Sequence, residues 1–224
     1  MGIHDDHRKR MKQKFIDNGM DSFADHEVLE LLLYYAIARR DVNPVAHELI
    51  NRFGTLSAVF DAPIEALQEI DGIGEHSAML IKMLPQIARR YLISRSSTEN
   101  VLDSVEKAGK YIQSFFYSMQ KECVYVVCLD SKCKVIATKC ITTGDVNSVP
   151  LSPRQVVEFA LANHALAVII AHNHPNGLAL PSASDTNTTR RIQEALKAVD
   201  IQVLDHIIVA DDDFVSMKDN GFFN

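Results

Sequence analysis

The sequence predicts an α/β (α+β) fold, with an all-helical N-terminal part followed by a mixed sheet flanked by helices. Apolar residues recur at helical spacing up to about Tyr91. Beyond it, β-branched apolar runs bounded by turn residues alternate with helical patterns. The polar, aperiodic stretch Ile93–Glu99 separates the two patterns. We therefore predict a helical domain over residues 1–95 and a sheet domain over residues 101–224.

Net charge and hydropathy limit the classes of function. The 224 residues carry a formal net charge of −6, whereas nucleic-acid-binding proteins usually have an excess of basic residues. Any contact with DNA would therefore be local. No apolar run approaches the roughly 20 residues that a membrane helix needs. The N-terminus is polar and lacks the apolar core of a signal peptide, so the sequence predicts a cytoplasmic protein without a membrane partner.

Four cysteines crowd one strand-like region of the chain. Their spacing suits neither a disulfide framework nor a thiolate zinc site. Buried, reduced thiols are the favoured interpretation. The residues concerned are Cys123, Cys128, Cys133 and Cys140.

The first helices can be predicted from their caps and their apolar spacing. Basic residues over Arg8–Phe15 are typical of a solvated helix face. Asp25 is placed to cap a helix over His26–Ala38, which is apolar on most sides and therefore belongs in a core. Pro44 is suited to start the next helix and Gly54 to end it.

A short helix over Ile64–Ile70, a tight turn with two glycines and a long amphipathic helix through Leu92 form the pattern of a helix-hairpin-helix element. The glycines allow the turn and leave amides free at the start of the second helix, where a phosphate can bind. Such contact would position DNA without reading its sequence. The alternative is a helical hairpin that touches nothing. The candidate phosphate-binding residues are Gly72, Ile73, Gly74 and Lys82.

The C-terminal part alternates helices with strands. Ser152 and Pro153 are a suitable cap and first residue for one of these helices. The predicted order is a helix over Val105–Met119, paired strands Glu122–Leu129 and Lys134–Ile141, a helix from Pro153 to about Asn163, a strand Leu166–Ala171, a helix Asp185–Val199, a strand Ile201–Val209 and a last strand near Phe214–Met217.

The strongest chemical signal lies where a β-branched apolar run ends in His172-Asn-His174. Residues two apart in a strand point to the same side, and Asp185 can return to both rings from the next helix. Two imidazoles and one carboxylate, with a fourth position open, are typical of a catalytic zinc site. Taken singly, the histidines could be ordinary strand-end residues, and Ser182 with Asp185 only a capping box. The combination predicts one Zn²⁺ per chain.

The spacing His172-x-His174, seven residues, Ser182, two residues and Asp185 resembles the JAMM (MPN+) metallopeptidase signature. The context His-Asn-His-Pro-x-Gly, with Leu-Asp-His-Ile-Ile-Val over residues 204–209, resembles the RadC family, also called the UPF0758 group. The resemblance covers nearly the full chain. It implies an MPN/JAMM-like sheet of cytidine-deaminase-like architecture in a family traditionally labelled as DNA-repair proteins.

The resemblance also implies roles for individual residues. The zinc ligands would be His172, His174 and Asp185, with water in the fourth position. Ser182 would hydrogen-bond the oxyanion of the reaction or the zinc-bound water. Glu122, just before the first strand, would be the general base. Glu158 is the alternative base, but it falls on the helix before the histidine strand.

Two functions follow as hypotheses. The first is a zinc-dependent peptidase or isopeptidase-like hydrolase that the helix-hairpin-helix domain positions. The second is a DNA-associated repair or recombination module, in which the metal domain is structural or recruits partners. The sequence leaves the polypeptide substrate and the oligomeric state open.

Overall fold

The computed structural model describes residues 3–38, 40–96, 101–144, 151–175 and 177–223, with only the backbone described for residues 3–5 and 96. Contacts divide the chain into two compact units, Met1–Ala88 and Arg89–Asn224. The first is helical and the second contains a mixed five-stranded sheet with helices, which confirms the predicted fold class. None of the helices described is both long and apolar enough to span a bilayer.

The described part of unit 1 consists of helices joined by turns, and their apolar faces share one core. Fully buried members of that core include Leu29, Leu33, Leu49, Leu67 and Ile81. The helices are α1 (Ile3–Asn18), α2 (Asp25–Leu33), α3 (Asn43–Phe53), α4 (Leu56–Asp61), α5 (Ile64–Gln68) and the first part of α6 (Glu75–Ser96).

A buried carboxylate ties three of these helices together. Glu30 of α2 is almost fully buried, and its Oε1 is 2.9 Å from Nε2 of His7 on α1. Its Oε2 accepts a hydrogen bond of 2.9 Å from Nδ2 of Asn43 at the start of α3, and Tyr34 donates its hydroxyl to Oε1. A carboxylate can be buried at acceptable cost when it is hydrogen-bonded in this way.

The predicted helix over His26–Ala38 is too long. Helix α2 ends at Leu33, because the amides of Tyr35 and Ala36 bond to carbonyls three residues back, which tightens the chain out of the α-helical pattern. Asp25 is the first helical residue rather than the cap. Helix α4 was not predicted, although Thr55 caps it by accepting a hydrogen bond of 3.2 Å from the amide of Ala58.

Unit 2 is built on a sheet of order β2-β1-β3-β4-β5. Among the strands that the structure describes, β3 and β4 pair in parallel and the other neighbours pair antiparallel. The elements of this unit, after the end of α6, are α7 (Val105–Phe116), β1 (Glu122–Leu129), β2 (Val135–Gly144), α8 (Pro153–Ala162), β3 (Ala167–Asn173), α9 (Ala183–Lys197), β4 (Gln202–Ala210) and β5 (Asp213–Ser216).

The alternation of side chains along the strands gives the sheet two apolar faces. Odd-numbered residues of β1, such as Val127, pack in one core with α7. Even-numbered residues, such as Val126 and Ile170, pack in a second core with α8 and α9. Because β1 and β3 pair with Val124 opposite His172, both side chains lie on the face covered by α8 and α9.

The strands differ from prediction mainly at their ends. Strand β3 continues through Asn173, so His172 lies within the paired sheet. Strand β2 continues to Gly144, beyond its predicted end at Ile141, whereas residues 145–150 lie outside the described part of the chain. All four cysteines are free, and Cys123 and Cys128 are buried as predicted. The prediction of burial is wrong for the other two, which lie in the β1–β2 turn and on the edge strand β2.

Candidate metal centre

The end of β3 and the first turn of α9 bring three candidate ligands together. Nε2 of His172 is 2.9 Å from Nε2 of His174 and 3.3 Å from Oδ1 of Asp185. Nε2 of His174 is 3.9 Å from Oδ2 of Asp185. Ligand atoms that surround a tetrahedral zinc ion at about 2 Å lie roughly 3.3 Å from one another. The spacing of these donor atoms therefore fits a metal ion.

The hydrogen bonds of the two rings support the same conclusion. Nδ1 of His174 is 2.9 Å from the carbonyl oxygen of Leu178, which can only accept. The proton of a neutral His174 ring is therefore on Nδ1, and Nε2 carries a lone pair. That lone pair faces His172 and a carboxylate, an arrangement that a cation stabilises. Among the described residues, the donor atoms of these three side chains lie within 4.8 Å of one another.

Burial favours the neutral, ligating form of His172. Its ring is almost fully enclosed, and this desolvation lowers the pKa of His172 well below the usual value, although the nearby Asp185 carboxylate acts in the opposite direction. A neutral imidazole has a lone pair to offer a metal, whereas a protonated one does not.

Asp185 divides its two carboxylate oxygens between the helix and the histidines. Oδ2 accepts hydrogen bonds from the amide of Ser182 at 2.8 Å and from its hydroxyl at 2.6 Å, while Ser182 Oγ caps the amide of Asp185 at 3.1 Å. Oδ1 is the oxygen nearest His172. The capping box, one of the two interpretations of this pair, therefore holds the carboxylate in place beside the histidines.

Glu122 lies at the start of β1 and lines a cleft of about 460 Å³ together with the three candidate ligands and Ser182. The β1–β3 register explains this, because Glu122 lies two residues from Val124, which pairs with His172. Burial raises the pKa of Glu122; the nearby His174 lowers it and Asp185 raises it further. The structure thus brings together Glu122, Ser182 and the three residues predicted to bind metal.

Glu158, the alternative base, is placed elsewhere. It is exposed on α8, where one carboxylate oxygen is 2.7 Å from Nε of Arg154 one turn earlier. It is not among the residues that line the cleft. Of the two glutamates, Glu122 rather than Glu158 therefore lies where a general base for this site would be needed.

Asn173 holds the strand end that carries Glu122, a role that the sequence did not reveal. Its Oδ1 accepts a hydrogen bond of 2.8 Å from the amide of Cys123, and its Nδ2 donates to the carbonyl of Lys121 at 3.1 Å. These two groups flank Glu122 on both sides. Asn173 alternates with the two histidines along β3, so it reaches the neighbouring strand from the other face of the sheet.

Three of the four residues predicted to bind phosphate already have partners within unit 1. The amide of Ile73 bonds to the carbonyl of Ile70, and the amide of Gly74 bonds to the hydroxyl of Ser77 at 2.9 Å. The ammonium of Lys82 donates to two carbonyls at the end of α4, at 2.7 and 3.0 Å. Phosphate binding at this turn stays a prediction, and these contacts do not favour it.

The two glycines of the turn differ in what they require. Gly72 has φ of 92°, and a Cβ there would lie 2.9 Å from Nη1 of Arg40, whereas a Cβ at Gly74 would meet nothing within 4 Å. We expect Gly72→Ala to reduce the free energy of unfolding by about 1–2 kcal/mol, the cost of a left-handed backbone for a residue with a Cβ. Gly74→Ala, the matched control, should leave the urea midpoint near that of the wild type. Equal midpoints for the two variants would contradict this assignment.

Comparison with known protein families agrees with the fold and with a possible metal site at His172, His174 and Asp185. A family model described as "RadC-like JAB domain" matches residues 102–222, which include all the residues of the cleft. A second model, "UPF0758 N-terminal", matches residues 4–79. The first match alone covers more than half of the chain. The protein therefore belongs to the RadC/UPF0758 family and carries a C-terminal JAB/MPN domain.

Proposed function

We propose that the C-terminal unit hydrolyses an amide bond, in a peptide or an isopeptide, with a zinc ion held by His172, His174 and Asp185. The observation that carries the proposal is that Glu122, a carboxylate with a raised pKa, lines the same cleft as these ligands. When bound, zinc would supply Lewis-acid chemistry by lowering the pKa of a water molecule and polarising the substrate carbonyl.

The donor set supports zinc over calcium and magnesium. Two imidazole nitrogens and one carboxylate oxygen are ligands that zinc accepts in catalytic sites, where three protein ligands leave a position open. Calcium and magnesium prefer oxygen ligands alone. The three residues supply one such site per chain among those that the structure describes.

Glu122 would act as the general base and then as the general acid. Its carboxylate takes a proton from the attacking water and delivers it to the nitrogen of the leaving amine. Burial raises the pKa of Glu122, which increases the proton affinity of the carboxylate. Asn173 assists by holding the main chain on both sides of Glu122.

Ser182 would stabilise the substrate oxygen on which negative charge develops. Its hydroxyl lines the cleft and donates to Oδ2 of Asp185, an oxygen that also accepts the Ser182 amide. Rotation about the Cβ–Oγ bond would turn the hydroxyl proton to the substrate while the amide continues to hold Asp185. One oxyanion-hole donor is worth about 2.7–4 kcal/mol in known hydrolases, and the hydrogen bond to Asp185 that Ser182 gives up would reduce that gain.

The surroundings of the cleft favour a polypeptide with an apolar residue near the scissile bond. Leu178 and Leu180 are largely exposed on the segment that joins His174 to Ser182. Because Pro175 and Gly177 of this segment line the cleft, the two leucines would be near enough to contact an apolar residue of a bound substrate.

The experiment is a cleavage assay on a peptide library made from a digested proteome, supplemented with isopeptide-linked peptides. Protein loaded with one equivalent of zinc should generate new amino termini from peptides, enriched in apolar residues near the cut, or free lysine ε-amines from the isopeptide-linked peptides. Chelator-treated wild type and zinc-loaded Glu122→Gln serve as controls; the first should generate no products and the second at least about 100-fold fewer. Absence of zinc-dependent products, or equal products from Glu122→Gln, would contradict the proposal.

A further inference from the structure

A chain of buried hydrogen bonds connects His172 to the backbone of α9. Nδ1 of His172 is 2.8 Å from Nε2 of His206, which β4 places beside β3. Nδ1 of His206 is 2.6 Å from the hydroxyl of Thr189 on α9. That hydroxyl is also 2.6 Å from the main-chain carbonyl of Asp185, one helical turn earlier. Both His206 and Thr189 are buried.

The direction of each hydrogen bond follows from the main-chain carbonyl of Asp185, where this series of hydrogen bonds ends. A carbonyl oxygen only accepts, so the single proton of Thr189 Oγ1 is donated to Asp185. Thr189 must then accept from His206, which places the proton of a neutral His206 ring on Nδ1. Nε2 of His206 therefore accepts from Nδ1 of His172. The consequence is that Nε2 of His172, which faces the other ligands, carries the lone pair.

We propose that Thr189 and His206 are positioning residues that fix His172 in the tautomer able to bind zinc through Nε2. The proposal rests on the proposed zinc site. The tautomer of His174 is fixed directly, because its Nδ1 bonds to the carbonyl of Leu178. His172 lies deeper, with its Nδ1 directed at β4. There the series of hydrogen bonds through His206 and Thr189, called the relay below, supplies the acceptor that the strand backbone does not.

The relay also connects the ligands to one another. Asp185 contributes its side chain to the group of candidate metal ligands and its main-chain carbonyl to the relay. The first turn of α9 thus provides one ligand and sets the proton position of a second. Hydrogen bonds of this kind, behind the ligands themselves, typically change metal affinity by about 10- to 100-fold.

Thr189→Val tests the relay because valine has nearly the same shape but no hydroxyl. Without that acceptor, His206 is expected to move its proton from Nδ1 to Nε2, since a buried N–H without a partner is costly. His206 would then donate to His172 and push the proton of that ring onto Nε2. Zinc affinity, measured by competition with a chelator, should fall about 10- to 100-fold. Thr189→Ser keeps the hydroxyl and should keep the wild-type affinity.

A spectroscopic signature separates this relay from a purely structural role. Long-range ¹⁵N–¹H correlation spectra of the metal-free protein should show the Nδ1–H tautomer for His172 in the wild type and in Thr189→Ser. Thr189→Val should show the Nε2–H tautomer. An unchanged tautomer and unchanged zinc affinity in Thr189→Val would overturn the proposal. Because the tautomer is read without metal, a wild type that binds no zinc would contradict the proposed function while leaving this test intact.

A second pair of variants covers the case in which Thr189→Val does not fold. His206→Gln can still present an amide oxygen to Nδ1–H of His172, whereas His206→Leu cannot. We expect zinc affinity and the His172 tautomer to stay near wild type in the glutamine variant and to be lost in the leucine variant. Equal behaviour of the two variants would overturn the proposal.

Discussion

Zinc-loaded Glu122→Gln is expected to keep its metal and to lose about 10²- to 10⁴-fold in turnover, the usual contribution of general acid–base catalysis. Glutamine has the size of glutamate but cannot take a proton from water at neutral pH. Glu122 lines the cleft without belonging to the ligand cluster, so its replacement should leave zinc affinity unchanged. In the wild type, the rate should fall as the pH decreases through the raised pKa of Glu122, because the base must be ionised.

Glu158→Gln is the matched control for this prediction. It makes the same chemical change at the exposed glutamate that pairs with Arg154 on α8. Turnover at equal zinc content should be that of the wild type. A large loss in Glu158→Gln, or full turnover in Glu122→Gln, would show that the base has been assigned to the wrong residue.

Asp185→Asn should lower zinc affinity by at least about 100-fold, more than the loss of a residue that only hydrogen-bonds to a metal ligand. Asparagine keeps an oxygen that can accept the amide of Ser182, so the start of α9 should remain capped. It removes the negative charge beside the two histidines. The measurement is a zinc titration with a competing chelator, accompanied by the urea midpoint to establish that the variant is folded.

Asp200→Asn provides the control for Asp185→Asn. Asp200 has φ of 59°, a conformation that asparagine also tolerates, and it lies in the turn after α9, away from the cluster. Its zinc affinity should equal that of the wild type. Retention of wild-type affinity by Asp185→Asn would remove Asp185 from the ligand set.

The part of the site that could be predicted from sequence depends on local geometry. His172 and His174 lie two apart in one strand, and Asp185 lies in the first turn of the helix that follows. Strand periodicity and helix capping therefore suffice to place them together. Glu122 came from the family resemblance, and the antiparallel register of β1 with β3 supplies the physical reason for its position.

The residues that could not be predicted act across elements distant in sequence. Thr189 and His206 meet only because β4 pairs in parallel with β3 under α9. Asn173 reaches β1 from the opposite face of the sheet. One sequence signal did mark His206, since a histidine inside the apolar strand Ile201–Val209 must find a buried partner. In unit 1, the contact of Lys82 with the end of α4 depended on a helix that had not been predicted.

Zinc K-edge X-ray absorption on the wild type, loaded with one equivalent of zinc, tests the proposed metal centre most directly. The ligand set His172, His174 and Asp185 predicts nitrogen and oxygen scatterers at about 2.0–2.2 Å, with imidazole features in the outer shells. The same spectrum should be absent from His172→Ala, which should not retain zinc. Sulfur scatterers at about 2.3 Å would assign the metal to the cysteines of β1 and β2 instead, and would contradict the proposed centre.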